Sequence, residues 1–97
     1  MNATEVPVEI GTLIARTPSI KRGAPHIAGT GVLVRTIARW NQTGLSPDEI
    51  VAKYGFLGLD QVHAALAYYY ANRLEIDREL QRIDDEADEL EAAARQA

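Results

Sequence analysis

The basic side chains are concentrated in the first half of the chain, where no acidic residue separates them. Five basic residues and no Asp or Glu lie between residues 10 and 47: Arg16, Lys21, Arg22, Arg35 and Arg39. Arg35 and Arg39 are four residues apart, so a helix would place both on one face. Lys21 and Arg22 lie in a turn-rich segment, from which side chains often contact phosphates. The pattern predicts a polyanionic partner, with phosphate contacts that set affinity rather than sequence preference.

Side chains that could read bases are few, and they lie just after residue 59. Gln61 is able to pair with adenine in the major groove, and His63 follows two residues later. No arginine follows them until Arg73. We therefore expect Gln61 and His63 near the bases, with either modest specificity or base contacts from the N-terminal segment.

Residues suited to catalysis or metal binding are scarce. The chain has no cysteine, and its two histidines, His26 and His63, show no spacing with acids that is typical of a metal site. The glycine-rich stretch RGAPHIAGTG lacks the Gly-Lys-Ser/Thr sequence of a phosphate loop. We expect no enzyme activity, no cofactor and no metal.

These candidate residues are positioned by helix boundaries in the proportions of a helix-turn-helix. Ser46 is predicted to cap a helix that has Pro47 at its first position, and Gly55 is predicted to end it in a left-handed conformation. Asp60 is predicted to cap the next helix. The predicted helices occupy about residues 33–43, 46–55 and 60–94.

Two short apolar segments precede the helices, at residues 12–16 and 26–34. Thr17-Pro18 ends the first, and Gly29 and Gly31 interrupt the second. They are predicted to be extended, and to pair either with each other or with a second copy of the chain. The predicted fold class is mainly α: a three-helix helix-turn-helix core with a short N-terminal β segment or hairpin and a long C-terminal helix.

Charge divides the chain into parts of opposite sign. Residues 1–74 contain seven Lys or Arg and five Asp or Glu, whereas residues 75–97 contain three Arg and nine Asp or Glu. We predict a flexible arm over residues 1–11, a helix-turn-helix-like domain over 12–74 and an acidic amphipathic helical tail over 75–97.

Apolar residues recur along the last predicted helix at alternating spacings of four and three, as in a coiled coil. Up to about Tyr70 this face is expected to pack in the domain core. Beyond Arg73 it is expected to have nothing left in the chain to pack on, so the tail needs a partner or frays. A free acidic helix that aids solubility is the alternative. The residues predicted to contact a partner are Ile76, Leu80, Ile83 and Leu90.

The chain shows no feature of a membrane or secreted protein. It has no run of about eighteen apolar residues, and its first ten residues contain acids where a signal peptide needs bases. We expect a cytoplasmic protein that does not bind membranes.

Several blocks of the sequence, in order and at the right spacing, resemble domain-of-unknown-function family 433 over roughly residues 12–75. Many members of this family are described as antitoxins of bacterial toxin–antitoxin pairs. The chain departs from the family at Gly31, where an arginine is usual, and at Ala24, where a lysine is usual. The blocks that carry the resemblance are Ile14, Pro18, the series Gly23–Pro25–Ile27–Gly29–Thr30, the run 44–50, Tyr54, Leu57, Leu59, Val62, Ala64, Ala65, Leu66, Tyr68 and Tyr69.

The resemblance implies a helix-turn-helix-like core and a PIN-like nuclease toxin encoded beside this protein. We therefore expect an antitoxin that binds operator DNA as a homodimer and neutralises a cognate PIN-like ribonuclease toxin through its tail. A chain truncated at Glu75 is expected to lose toxin binding and to retain DNA binding. The alternative is a non-enzymatic protein that self-associates through the heptad helix and does not bind DNA.

Overall fold

The computed structural model describes residues 6–96, and it is mainly helical, as predicted. A short antiparallel hairpin precedes three helices and a long C-terminal helix, so the predicted fold class is confirmed. Two 3₁₀ turns, Ile10–Leu13 and Lys21–Gly23, flank the first strand. Residues 1–5 of the predicted arm lie outside the described residues. The strands and helices are β1 (Ile14–Arg16), β2 (Pro25–Ile27), α1 (Val34–Gln42), α2 (Pro47–Tyr54), α3 (Leu59–Ala71) and α4 (Arg73–Gln96).

The hairpin forms within one chain. Ile14 lies opposite Ile27 and Arg16 lies opposite Pro25, which answers the question of pairing that the sequence left open. His26 on β2 is buried, with Nδ1 2.9 Å from the carbonyl oxygen of Thr30 and Nε2 2.9 Å from the hydroxyl of Thr17. Because a carbonyl only accepts, Nδ1 carries a hydrogen and donates it to Thr30, while Nε2 shares a hydrogen bond with the Thr17 hydroxyl. His26 therefore holds the hairpin to the loop that follows it.

Helix α2 begins and ends as the sequence predicts. The Ser46 hydroxyl accepts a hydrogen bond from the Glu49 backbone N–H at 3.2 Å, and the Glu49 carboxylate accepts one from the Ser46 N–H at 2.9 Å. This reciprocal pair is a capping box, and Pro47 is the first helical residue. Gly55 ends the helix at a φ of 77°, a left-handed conformation that glycine adopts without a Cβ clash.

The predicted cap of α3 is wrong by two residues. The N-cap is Gly58, not Asp60, and the Gln61 side-chain oxygen accepts a hydrogen bond of 2.7 Å from the Gly58 N–H. Asp60 instead lies in the first helical turn, where its negative charge is favourable near the helix N-terminus. The side chain that serves the start of α3 is therefore that of Gln61, the third helical residue, which accepts from the N-cap N–H.

Helix α3 is the central element of the core. It packs against α1, α2, both strands, the first 3₁₀ turn and α4. Four of its buried residues belong to the apolar core, namely Val62, Ala65, Leu66 and Tyr69. The fully buried large side chains around them are Ile27, Val34, Ile37 and Ile50.

Helix α4 is separated from α3 by a break at Asn72, where φ is −127° and ψ is 35°. Its first turns pack back onto the domain, because Ile76 and Leu80 are only 4% and 8% exposed and belong to the same apolar core. The expectation that the apolar stripe beyond Arg73 lacks a surface in this chain is therefore wrong for these two residues.

Within residues 6–96, no helix combines the length and the apolar character needed to cross a membrane.

Candidate nucleic-acid interface

The turn between the two strands presents two free cations. Lys21 and Arg22 have φ values of 45° and 58°, and Gly23 follows at 80°, so three successive residues are left-handed. Side chains with a Cβ adopt this conformation at a cost of about 1–2 kcal/mol each. Both side chains are exposed, and within residues 6–96 neither forms an ion pair. The strained turn holds two unneutralised positive charges next to each other at the surface.

Arg35 points from α1 towards α4. Its Nη1 lies 3.6 Å from Glu79 Oε1, and its side chain is only 22% exposed. The pKa of Glu79 lies below its ordinary value, mainly because Arg82 donates a hydrogen bond to it and also because the positive charges of Arg82 and Arg35 are close. The carboxylate is therefore held in its charged form between two guanidinium groups.

Arg39, one turn further along α1, also contacts α4. Its guanidinium donates two hydrogen bonds to the Asp84 carboxylate, at 2.8 and 3.3 Å. A two-point contact of this kind fixes the orientation of both groups. The predicted pair of arginines on one face of α1 is therefore present, and both are engaged by acids of the C-terminal helix.

Arg16, at the end of β1, forms the third contact with α4. It donates hydrogen bonds to the Tyr68 hydroxyl at 2.9 and 3.1 Å and to Glu75 at 3.0 Å. These bonds raise the pKa of the Arg16 guanidinium, the Tyr68 contact most strongly. Arg16 thus connects the hairpin to α3 and to the first turn of α4.

An open groove lies between the strained turn and α4. One side carries Arg16, Lys21, Arg22 and Arg35, and the other is formed by α4. The α4 residues that line it are Glu75, Ile76, Glu79, Arg82 and Glu86. Four of the basic residues between residues 10 and 47 are therefore brought together in space, and acids face them.

The two residues predicted to read bases are not brought into this groove. Gln61 is half-buried, and its side-chain oxygen is occupied at the start of α3. His63 is exposed on the outer side of the same helix. The arrangement can therefore supply phosphate contacts in the groove, while His63 is the one exposed side chain of this pair.

The predicted partner-binding residues divide along α4. Ile76 and Leu80 are buried in the domain core, and Ile83 is half-buried. Leu90 is 72% exposed and lies beyond the part of the helix that packs on the domain. Of these four predicted residues, Leu90 is therefore the one left free to contact a partner.

The acids that face the arginines were not among the predicted site residues. The sequence did contain one signal for these ion pairs, which is the contrast between a basic first half and an acidic tail. However, Glu75, Glu79 and Asp84 are more than 40 residues away from their arginines in the chain. Spacing rules act within one helix and do not reach this far.

The comparisons with known proteins agree on one family. The model of a family described as "Protein of unknown function (DUF433)" matches residues 14–69. The chain is similar to the crystal structure of a DUF433 member protein from Anabaena variabilis, with 33% sequence identity and a TM-score of 0.68. That similarity covers 72% of this chain and 69% of the other. No protein of curated function matches the sequence significantly. Since the family model spans more than half of the sequence, the chain belongs to the DUF433 family.

Proposed function

We propose that this protein is an antitoxin that binds operator DNA through its N-terminal domain and neutralises a PIN-like ribonuclease toxin through its C-terminal helix. The observation that carries the proposal is the gathering of Arg16, Lys21, Arg22 and Arg35 at one groove from three different elements. A surface built in this way suits the phosphates of a nucleic acid.

The DNA-binding half of the proposal rests on the two free cations. Lys21 and Arg22 are exposed and left without acidic partners among the described residues, so their charge is available to phosphates. Because Gln61 is occupied at the helix start, the domain would depend on phosphate contacts for affinity, with His63 as its base-reading candidate. One such small module covers a half-site, so a homodimer would bind the operator.

The toxin-binding half rests on the distal part of α4. Residues 85–96 extend beyond the last ion pair with the domain and span about 18 Å as a helix. This segment contains five acids and one arginine, with Leu90 as its exposed large apolar residue. An acidic helix with one apolar anchor is suited to the basic surface with which a ribonuclease binds RNA.

The DNA-binding half is tested with the duplex from upstream of the gene, in a titration at several salt concentrations. Replacing Lys21 and Arg22 by Ala should weaken binding and reduce the slope of log K against log salt by about 2, because each phosphate contact contributes about 0.9. The matched control replaces Lys53 and Arg78, two basic residues outside the groove, by Ala. It should leave the slope of log K against log salt unchanged. Absence of binding by the native chain at low salt would refute this half.

The toxin-binding half is tested with a shortened chain and the product of the adjacent nuclease gene. A cut at Glu75, as the sequence alone suggested, would remove Ile76 and Leu80 from the core. A cut after Asp84 keeps both residues and all three ion pairs with the domain. The chain 1–84 should stay folded and bind DNA but no longer bind or inhibit the nuclease. Full inhibition by the chain 1–84 would refute the role of the tail.

The alternative is self-association through the heptad helix, and the apolar surface available for it is shorter than the sequence suggested. With Ile76 and Leu80 in the core, the stripe left for a second copy consists of Ile83, Ala87, Leu90 and Ala94. The oligomeric state of the chain 1–84 distinguishes the two proposals, since a coiled-coil dimer would become a monomer.

A further inference from the structure

Three acids of α4 contact arginines for which the sequence predicts a polyanionic partner, and two of these arginines line the groove of the proposed function. Glu75, Glu79 and Asp84 contact Arg16, Arg35 and Arg39 respectively, in the same order along the chain. The three acids follow one another along α4 at intervals of about 6 and 7.5 Å. At about 100° per residue, Glu79 lies about 40° around the helix axis from Glu75, and Asp84 lies about 140° further. The acids therefore flank the buried Ile76 and Leu80 on both sides of α4.

A carboxylate is chemically close to a phosphate, because both accept two-point hydrogen bonds from guanidinium groups. The contact of Asp84 with Arg39 is of this two-point kind. Arg35 is covered to such a degree that only 22% of its side chain is exposed. A duplex cannot use these guanidinium groups fully while the carboxylates hold them.

We infer that Glu75, Glu79 and Asp84 of α4 are built-in competitors of double-stranded DNA for Arg16, Arg35 and Arg39. This inference rests on the proposed DNA binding and adds its regulation. In the free chain α4 holds the three arginines, whereas Lys21 and Arg22 stay available for a first contact with phosphates. Full binding then requires α4 to release its ion pairs.

The way in which α4 is attached makes such a release feasible. Among its side chains only Ile76 and Leu80 are buried, and the ion pairs are partly exposed. Partly exposed ion pairs contribute little each and weaken as salt increases. A polyanion of high charge density is therefore able to replace the carboxylates.

The test neutralises the three competing acids without changing their shape, in the variant Glu75→Gln, Glu79→Gln, Asp84→Asn of the full chain. Binding is measured by fluorescence anisotropy with a labelled 25-base-pair duplex from upstream of the gene. We expect about tenfold tighter binding, as three weak ion pairs no longer need to be broken, and a steeper salt dependence.

The matched control is Asp85→Asn, Asp88→Asn, Glu89→Gln, which changes the net charge equally. Within residues 6–96 these acids form no ion pair with an arginine of the domain. The control should bind less than about threefold tighter than the native chain, because screened charges act weakly at a distance. An equal gain in both variants would overturn the competition and leave net charge as the cause.

The outcomes separate the inference from the proposed function. If the native chain and the neutralised variant bind DNA equally, the competition is refuted and DNA binding stands. If neither binds at low salt, the proposed DNA binding itself is refuted. A second measurement uses the native chain alone: hydrogen exchange of the amides of residues 76–84 should become faster when the duplex is added. Unchanged exchange in a saturated complex would also overturn the inference.

Discussion

Replacing Leu80 by Ala tests whether the C-terminal helix is part of the folded domain. The Leu80 side chain is 8% exposed and packs in the core. Removing a buried leucine side chain typically destabilises a protein by about 2–5 kcal/mol. Since α4 covers the core from one side and is able to close part of the gap, we expect the lower end, about 2–3 kcal/mol.

A loss of about 2 kcal/mol is large for a chain of this size. It corresponds to a decrease in Tm of about 8–16 °C for a small domain, and to a clear shift of the urea midpoint. Thermal unfolding followed by circular dichroism measures the first, and urea titration measures the second. Because alanine favours helices, a lower stability cannot be attributed to a weaker intrinsic helix propensity.

The same substitution at Leu90 is the matched control. Leu90 lies on the same helix and is 72% exposed, so its replacement by Ala should change stability by less than about 0.5 kcal/mol. Equal effects at the two positions would contradict the packing of α4 on the domain. The competition between its acids and DNA would then lose its structural basis.

Three further predictions concern the two ends of α2 and the dependence of stability on pH. Ser46→Ala removes one half of the capping box and should lower the free energy of unfolding by about 1 kcal/mol, measured by urea titration. Gly55→Ala meets no neighbouring atom within 4 Å but is strained at a φ of 77°, so a loss of about 1–2 kcal/mol is expected, and a stabilisation would contradict it. The pKa of Glu79 is lowered by Arg82 first and also by Arg35. A carboxylate of this kind stabilises the fold above its unfolded pKa, so Tm should fall as pH decreases below about 4.5, and less so in Glu79→Gln.

Features of the chain that depend on nearby residues were predictable from the sequence. The cap at Ser46 and the left-handed stop at Gly55 each involve residues within four positions, and both are present. The cap of α3 shows the limit of this reasoning. Asp60 and Gln61 both have polar side chains able to serve the helix start, and their types alone did not decide which one does.

The contacts of α4 were beyond the reach of such rules. A heptad stripe states that a helix has an apolar face, but it does not name the surface that covers it. Here Ile76 and Leu80 are covered by the domain itself. Arg35 and Arg39 were predicted to lie on one face of a helix, but the acids that pair with them come from more than 40 residues away.

The break at Asn72 and the contacts of α4 determine where along this helical segment residues can be inserted or removed. One residue inserted between Tyr69 and Ile76 would rotate α4 by about 100° and turn its acids away from the arginines. Residues added or removed after Asp84 would disturb neither the core nor the ion pairs. Tolerance to insertions should therefore change abruptly along a single helix, from strict near Asn72 to permissive beyond Asp84.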